Sequence, residues 1–104
     1  MRIFVDEREE FEGKTLYAAI VDMLKSDGFA GATVLMGLEG FGPKGILHSS
    51  RAVEHMDHLP ILIEVIDDEE KVASVIPRLK EMIPEGLITL ERLDYMRLSA
   101  PKHD

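Results

Sequence analysis

The chain has 104 residues, 45% of them hydrophobic and 31% charged, which suffices for one domain with a modest core and is too little for two. Its formal net charge of −8 excludes the basic groove that a nucleic-acid backbone requires, and the absence of cysteine excludes disulfides, thiolate catalysis and thiolate metal sites. No run of about 20 apolar residues is present to span a membrane, and the start turns acidic too soon for a secretory leader, so a cytoplasmic protein is expected.

Residues 2–5 predict a short strand, and the acidic stretch over 6–12 reads as a solvated loop rather than a cation site. Between 14 and 27 the apolar residues Leu16, Ala19, Ile20, Met23 and Leu24 recur at i, i+3, i+4, i+7 and i+8. That single stripe at the 3.6-residue period predicts a helix, with Gly28 as its C-terminal cap. Thr33-Val34-Leu35-Met36 is β-favouring and apolar on both faces, so 31–41 is expected to be one long strand, with Gly37 marking a bulge or a close contact. Residues 59–66 form a second apolar strand with Pro60 at its start, where a missing N–H is tolerated. Asp67 or Asp68 caps the next helix, which runs to about Ile83 with Val72, Val75, Ile76, Leu79 and Ile83 on one face; Pro77 inside it predicts a kink or a break. Pro84-Glu85-Gly86 closes that segment, and 87–98 supplies the last strand, whose apolar phase slips between Leu90 and Leu93 as a bulge would cause.

Strand, helix, strand, strand, helix, strand is the ferredoxin-like α+β order: two helices on one face of a four-stranded antiparallel sheet, in a single domain over 1–104. The strand over 59–66 carries large apolar residues on both sides, Ile61, Ile63 and Val65 on one and Leu62 and Ile66 on the other. One set meets the helices and the other is exposed in a monomer, so self-association through the sheet is expected.

Between the second and third strands, Gly40-Phe41-Gly42-Pro43-Lys44-Gly45 reads G-x-G-x-x-G, a loop whose backbone N–H groups can approach a phosphate without a Cβ in the way. As a dinucleotide fingerprint it has Asp67 at about the required 20-residue distance, but 46–58 lacks the apolar stripe of a crossover helix and the chain is too short for repeated βαβ units. Phe41 is assigned to stacking on a base and Tyr17 to helix packing. His55 and His58, at i and i+3, could share a divalent metal, although solvated loop histidines are the commoner occurrence. His48 beside Ser49 and Ser50 lacks an orienting acid and oxyanion donors, so no enzyme is expected.

The segments Gly28-Phe29-Ala30-Gly31-Ala32-Thr33-Val34, Gly40-Phe41-Gly42, Lys44-Gly45, Arg51-Ala52-Val53-Glu54-His55-Met56 and Leu59-Pro60 resemble the PII signal-transduction proteins, from the end of the first helix through the T-loop into the third strand. More closely, Gly13-Lys14-Thr15-Leu16-Tyr17, Gly31-Ala32-Thr33-Val34 and Glu85-Gly86-Leu87-Ile88-Thr89-Leu90 are similar to an uncharacterised PII-like branch classed as a domain of unknown function. That resemblance covers nearly the whole chain. It implies a homotrimer with the sheets facing inward and an adenine nucleotide in the cleft between neighbours. The contacts it implies are Gly40, Phe41, Gly42, Lys44 and Gly45 at the base of the T-loop, Gly31 and Thr33 around the start of the second strand, and Gly86 before the last. It further implies a mobile segment over 43–57 that orders on ligand or partner binding, and a membrane transporter or channel as regulated target. The second phosphate loop of PII proteins is reduced here to Pro84-Glu85-Gly86, without a lysine, and the shortened T-loop lacks the tyrosine that some PII proteins modify. AMP or ADP is therefore expected in preference to ATP. The rival within the same fold is a trimeric metal-binding or metal-tolerance protein that uses His55 and His58.

Overall fold

The computed structural model describes residues 1–37, 39–41, 47–49 and 59–99, with only the backbone described at 39–41 and 47–49. Its elements in chain order are β1 (Arg2–Asp6), β2 (Glu10–Phe11), β3 (Lys14–Thr15), α1 (Leu16–Ser26), β4 (Thr33–Met36), β5 (Glu39–Phe41), β6 (Leu47–Ser49), β7 (Pro60–Glu64), α2 (Glu69–Met82) and β8 (Leu87–Thr89). The main sheet has the order β4-β7-β1-β8, antiparallel at every junction, which is the ferredoxin-like arrangement. No parallel crossover joins these strands, so the dinucleotide-fold reading of the glycine loop does not apply.

β1 lies inside the sheet and pairs with β7 over its whole length, Arg2 with Glu64 through Asp6 with Pro60. The ladder continues past both ends. Val65 donates to the Met1 carbonyl at 2.9 Å and the Met1 amine to the Val65 carbonyl at 2.8 Å, while Glu7 donates to the Leu59 carbonyl at 3.0 Å. Side chains alternate across a strand, so Ile3, Val5, Ile61, Ile63 and Val65 all point toward the helices and are buried. They meet Leu16, Ala19, Ile20, Met23 and Leu24 of α1, the predicted stripe, and Val75, Leu79 and Met82 of α2.

α1 ends as expected at Gly28, whose φ of +82° is the left-handed conformation. The Gly28 amide donates to the Lys25 carbonyl (3.1 Å) and the Phe29 amide to the Leu24 carbonyl (3.1 Å), the paired bonds of a Schellman motif, and Phe29 packs with Leu24 in the core.

Four expectations are corrected. The acidic stretch is not simply a loop: Glu10–Phe11 and Lys14–Thr15 form a hairpin whose central residues, Glu12 (φ +49°) and Gly13 (φ +81°), both have positive φ, as a type I′ turn requires. The expected long strand over 31–41 is two strands. β4 stops at Met36, and after Gly37 the chain enters β5, which pairs with β6 instead of the main sheet. Of the kink or break expected at Pro77 the break is excluded, since α2 runs continuously from Glu69 to Met82; Pro77 lies on the exposed face with Ala73, whose carbonyl loses its helical donor where water can replace it. The last strand covers only Leu87–Thr89; from Leu90 to Ser99 the chain is an irregular arm rather than a bulged strand.

Candidate functional site

Away from the helices the sheet has an open face. Leu35 pairs with Leu62, Leu62 with Phe4, and Phe4 with Leu87, so four large apolar side chains form one row across all four strands. Leu62 is half-buried, whereas Phe4, Leu35 and Leu87 are 37%, 52% and 59% exposed. The next row on that face is polar, Thr33, Glu64, Arg2 and Thr89, with Arg2 Nε donating to Glu64 Oε2 at 2.9 Å. This is the second apolar face expected from the sequence, with a charged pair beside it.

The candidate nucleotide contacts occupy separate places in a single chain. Gly31 and Thr33 stand where β4 begins, and Met36 at its other end is about 10 Å along the strand. Beyond Gly37, Gly40 and Phe41 lie in β5, where Gly40 faces His48 and Phe41 faces Leu47. Leu47–Ser49, within the segment expected to be mobile, is thus half of a two-stranded ribbon. Gly86 precedes β8, on the edge of the sheet opposite β4. One chain therefore brings Gly31 and Thr33 to one edge of the sheet and Gly86 to the other. Gly42, Lys44, Gly45, His55 and His58 lie outside the described residues.

Three glycines differ in why they are glycine. A Cβ at Gly86 would lie 2.7 Å from the Phe4 carbonyl oxygen and 2.8 Å from Ile83 Cγ2, and one at Gly37 would lie 2.7 Å from Pro60 Cγ. Packing of the α2–β8 corner against β1 explains the first. Backbone approach of β4 to β7 explains the second, since the Gly37 amide donates to the Pro60 carbonyl at 2.7 Å. At Gly31 a Cβ would meet nothing within 4 Å among the described residues and φ is not positive, so neither crowding by those residues nor backbone conformation there requires glycine.

The turn between α1 and β4, which carries Gly31, is held from the β7–α2 corner. Asp67 Oδ2 accepts from the Ala30 amide (3.3 Å) and Oδ1 from the Asp68 amide (2.8 Å), and Lys71 Nζ donates to the Gly28 carbonyl (2.8 Å) while standing 5.7 Å from the Phe29 ring centre. The Asp67 side chain is only 8% exposed and pairs with Arg97 at 3.6 Å. Burial opposes its charge, but the amides of Asp68 and Ala30 and the cations Arg97 and Lys71 outweigh burial and hold its pKa below the ordinary 3.8. At this end of the sheet Arg2, Lys71 and Arg97 are all engaged, with Glu64, the Gly28 carbonyl and Asp67.

The arm over 90–99 and its contacts are absent from the sequence reading. Exposed polar pairs between segments some 25 residues apart follow no periodicity, and the one signal was the run Asp67-Asp68-Glu69 together with Arg92, Tyr95 and Arg97. Among the described residues no group of three or more His, Asp or Glu side chains could hold a metal, and no helix is long and apolar enough to cross a membrane.

A family model described as uncharacterized ACR, COG1993 (DUF190) matches residues 1–95. A UPF0166 protein of Aquifex aeolicus strain VF5 is 35% identical over 98 residues, 94% of this chain and 92% of that protein. One from Methanocaldococcus jannaschii is 36% identical over 91 residues, 86% of this chain and 83% of its own. A second from Aquifex aeolicus is 32% identical over 93 residues, 89% and 91% of the two chains.

Proposed function

The chain belongs to the uncharacterised DUF190 (UPF0166) family of the PII-like superfamily, and from that premise we propose that it is a regulatory binding protein, not an enzyme, that assembles as a homotrimer and takes AMP or ADP between subunits. The observation that carries this reading is the division of the candidate contacts between opposite edges of the sheet, beside an open face with a complete apolar row. Burying Leu35, Leu62, Phe4 and Leu87 against neighbouring copies would remove that row from water and set the β4 edge of one subunit, with Gly31, Thr33, Gly40 and Phe41, beside the β8 edge of the next, with Gly86. Gly42, Lys44 and Gly45 would complete the phosphate side. The loop over 43–57 would report occupancy to a partner, a membrane transporter or channel being the proposed target, with the protein itself in the cytoplasm.

The test is isothermal titration with AMP, ADP and ATP, with and without a divalent metal, run beside the solution mass. Saturable binding of AMP or ADP by a trimer, abolished by Gly42→Val, is the expected result. A trimer that ignores every nucleotide and responds to metal alone would transfer the assignment to His55 and His58.

A further inference from the structure

The C-terminal arm docks on three consecutive acidic residues, one contact each. Arg97 pairs with Asp67, Tyr95 donates its hydroxyl to Asp68 Oδ1 at 2.7 Å, and Arg92 Nη2 donates to Glu69 Oε1 at 2.7 Å. Arg97 also stands 5.5 Å from the Tyr95 ring centre, bracing the arm internally. The Arg92–Glu69 pair is largely exposed, at 88% and 73%, so it is weak and screened by salt, and of the three acidic partners Asp67 alone is mostly buried. The arm turns its polar side inward and leaves Leu90, Leu93, Met96 and Leu98 at least half exposed, so little apolar burial fixes it in place.

Asp68 is the N-cap of α2, with the extended backbone of that position (φ −63°, ψ 148°), and aspartate is among the residues best suited to cap. Its side chain makes no capping bond. The carboxylate is turned to Tyr95 instead, and a favourable local interaction is forgone while the arm is docked. The neighbouring Asp67 joins the arm, through Arg97, to the Ala30 amide of the turn that carries Gly31.

We propose that residues 90–97 form a detachable arm with Asp68 as the exchange point: its carboxylate holds Tyr95 when the arm is docked and caps α2 when the arm leaves, while Asp67 passes the change to the turn before β4. Each state satisfies the same carboxylate, so neither leaves Asp68 unpartnered, and weak contacts keep the two states close in free energy. The exchange needs no ligand; its bearing on the cleft rests on the reading proposed above.

Amide hydrogen exchange on the intact chain and on the Tyr95→Phe/Arg97→Gln variant tests it. In the variant, the Glu70 or Lys71 amide, where a cap would bond, is expected to exchange several-fold more slowly and the Ala30 amide several-fold faster, with Ile3 and Ile63 unchanged. Added salt should move the wild type the same way. Asp68→Ser, which can cap but is too short to hold Tyr95, should reproduce the pattern. Wild-type rates at Ala30, Glu70 and Lys71 in both variants overturn the proposal, and so does faster exchange at all three, which would make the arm a mere prop. AMP and ADP titrations run alongside separate the two readings. If the wild type binds neither, the cleft reading fails while the exchange result stands; if it binds and the arm variant binds equally well, coupling to the cleft is overturned.

Discussion

A methyl group placed on different glycines of this chain should have opposite consequences. Gly86→Ala forces a carbon onto the Phe4 carbonyl, a backbone atom that cannot swing aside, and should cost about 1–3 kcal/mol in denaturant unfolding. Gly28→Ala should cost about 1 kcal/mol for a different reason, since its left-handed backbone crowds any Cβ. Gly31→Ala should leave stability within about 0.5 kcal/mol of the parent, because no described residue lies near the new carbon and φ is ordinary. If that silent substitution nevertheless weakens AMP or ADP binding in titration, the glycine serves a ligand and not the fold. Asp67 gives a pH prediction of definite sign. Its folded pKa is lowered, so the stability it contributes is present above the ordinary carboxylate value of 3.8 and is lost as pH falls through the lower folded value. The hydrogen bond to Asp68, then burial, raises the Tyr95 pKa above 10.0, so its contribution is present below that value and disappears in strong alkali. Protection of the Ala30 amide should therefore stay level between about pH 5 and 9 and decline at both extremes; a fall near neutrality would contradict this assignment.

At the scale of elements, regular periodicity was legible and exposed polar pairing was not. The α1 stripe, its Gly28 terminus and the division of Ile61, Ile63 and Val65 from Leu62 and Ile66 follow from spacing alone, since burial repeats with the backbone period. The hairpin at 10–15 was hidden because Glu12-Gly13 is a weaker turn signal than Asn-Gly or Asp-Gly and because charge dominates the stretch. Of the candidate site, the apolar face was readable from alternation, and the separation of Gly86 from Gly31 followed from the expected ferredoxin-like order and not from any local signal, because strand order is a property of long-range pairing. Pro77 removes a helical donor as its position in the sequence implies, but its exposed setting lets water replace the missing bond. Replacing it with alanine restores the donor to the Ala73 carbonyl and improves helix propensity by about 3 kcal/mol, offset by the freedom regained in the unfolded chain. A net gain of about 1–2 kcal/mol is expected in thermal unfolding, and a loss would mean that the ring itself packs against something.

For the whole molecule, the open face is the surface through which the proposed homotrimer would assemble. A charge placed in the centre of the Leu35–Leu62–Phe4–Leu87 row cannot be buried without a partner. If the proposed homotrimer forms through this face, Phe4→Glu should shift the solution mass from that of three chains to that of a single one of 11.7 kDa while preserving the circular dichroism of the fold, because Phe4 points away from the core. An unchanged trimer would show that the copies meet elsewhere. The adjacent Arg2–Glu64 pair would sit at the edge of such an interface, where it penalises misaligned copies more than it tightens correct ones.

The inner position of β1 also governs the order in which this protein can come into being. Ile3 pairs on one side with Ile63 and on the other with Ile88, so β1 has no partner in the main sheet until the chain through β7 has been made, and is not enclosed until β8 has followed. Local helix formation cannot replace those contacts, and closing such long loops is the slow step of folding in topologies of this kind. An N-terminal fragment ending before β7 should consequently remain unfolded and prone to aggregate, since it carries the apolar strand and the α1 stripe with nothing to cover them.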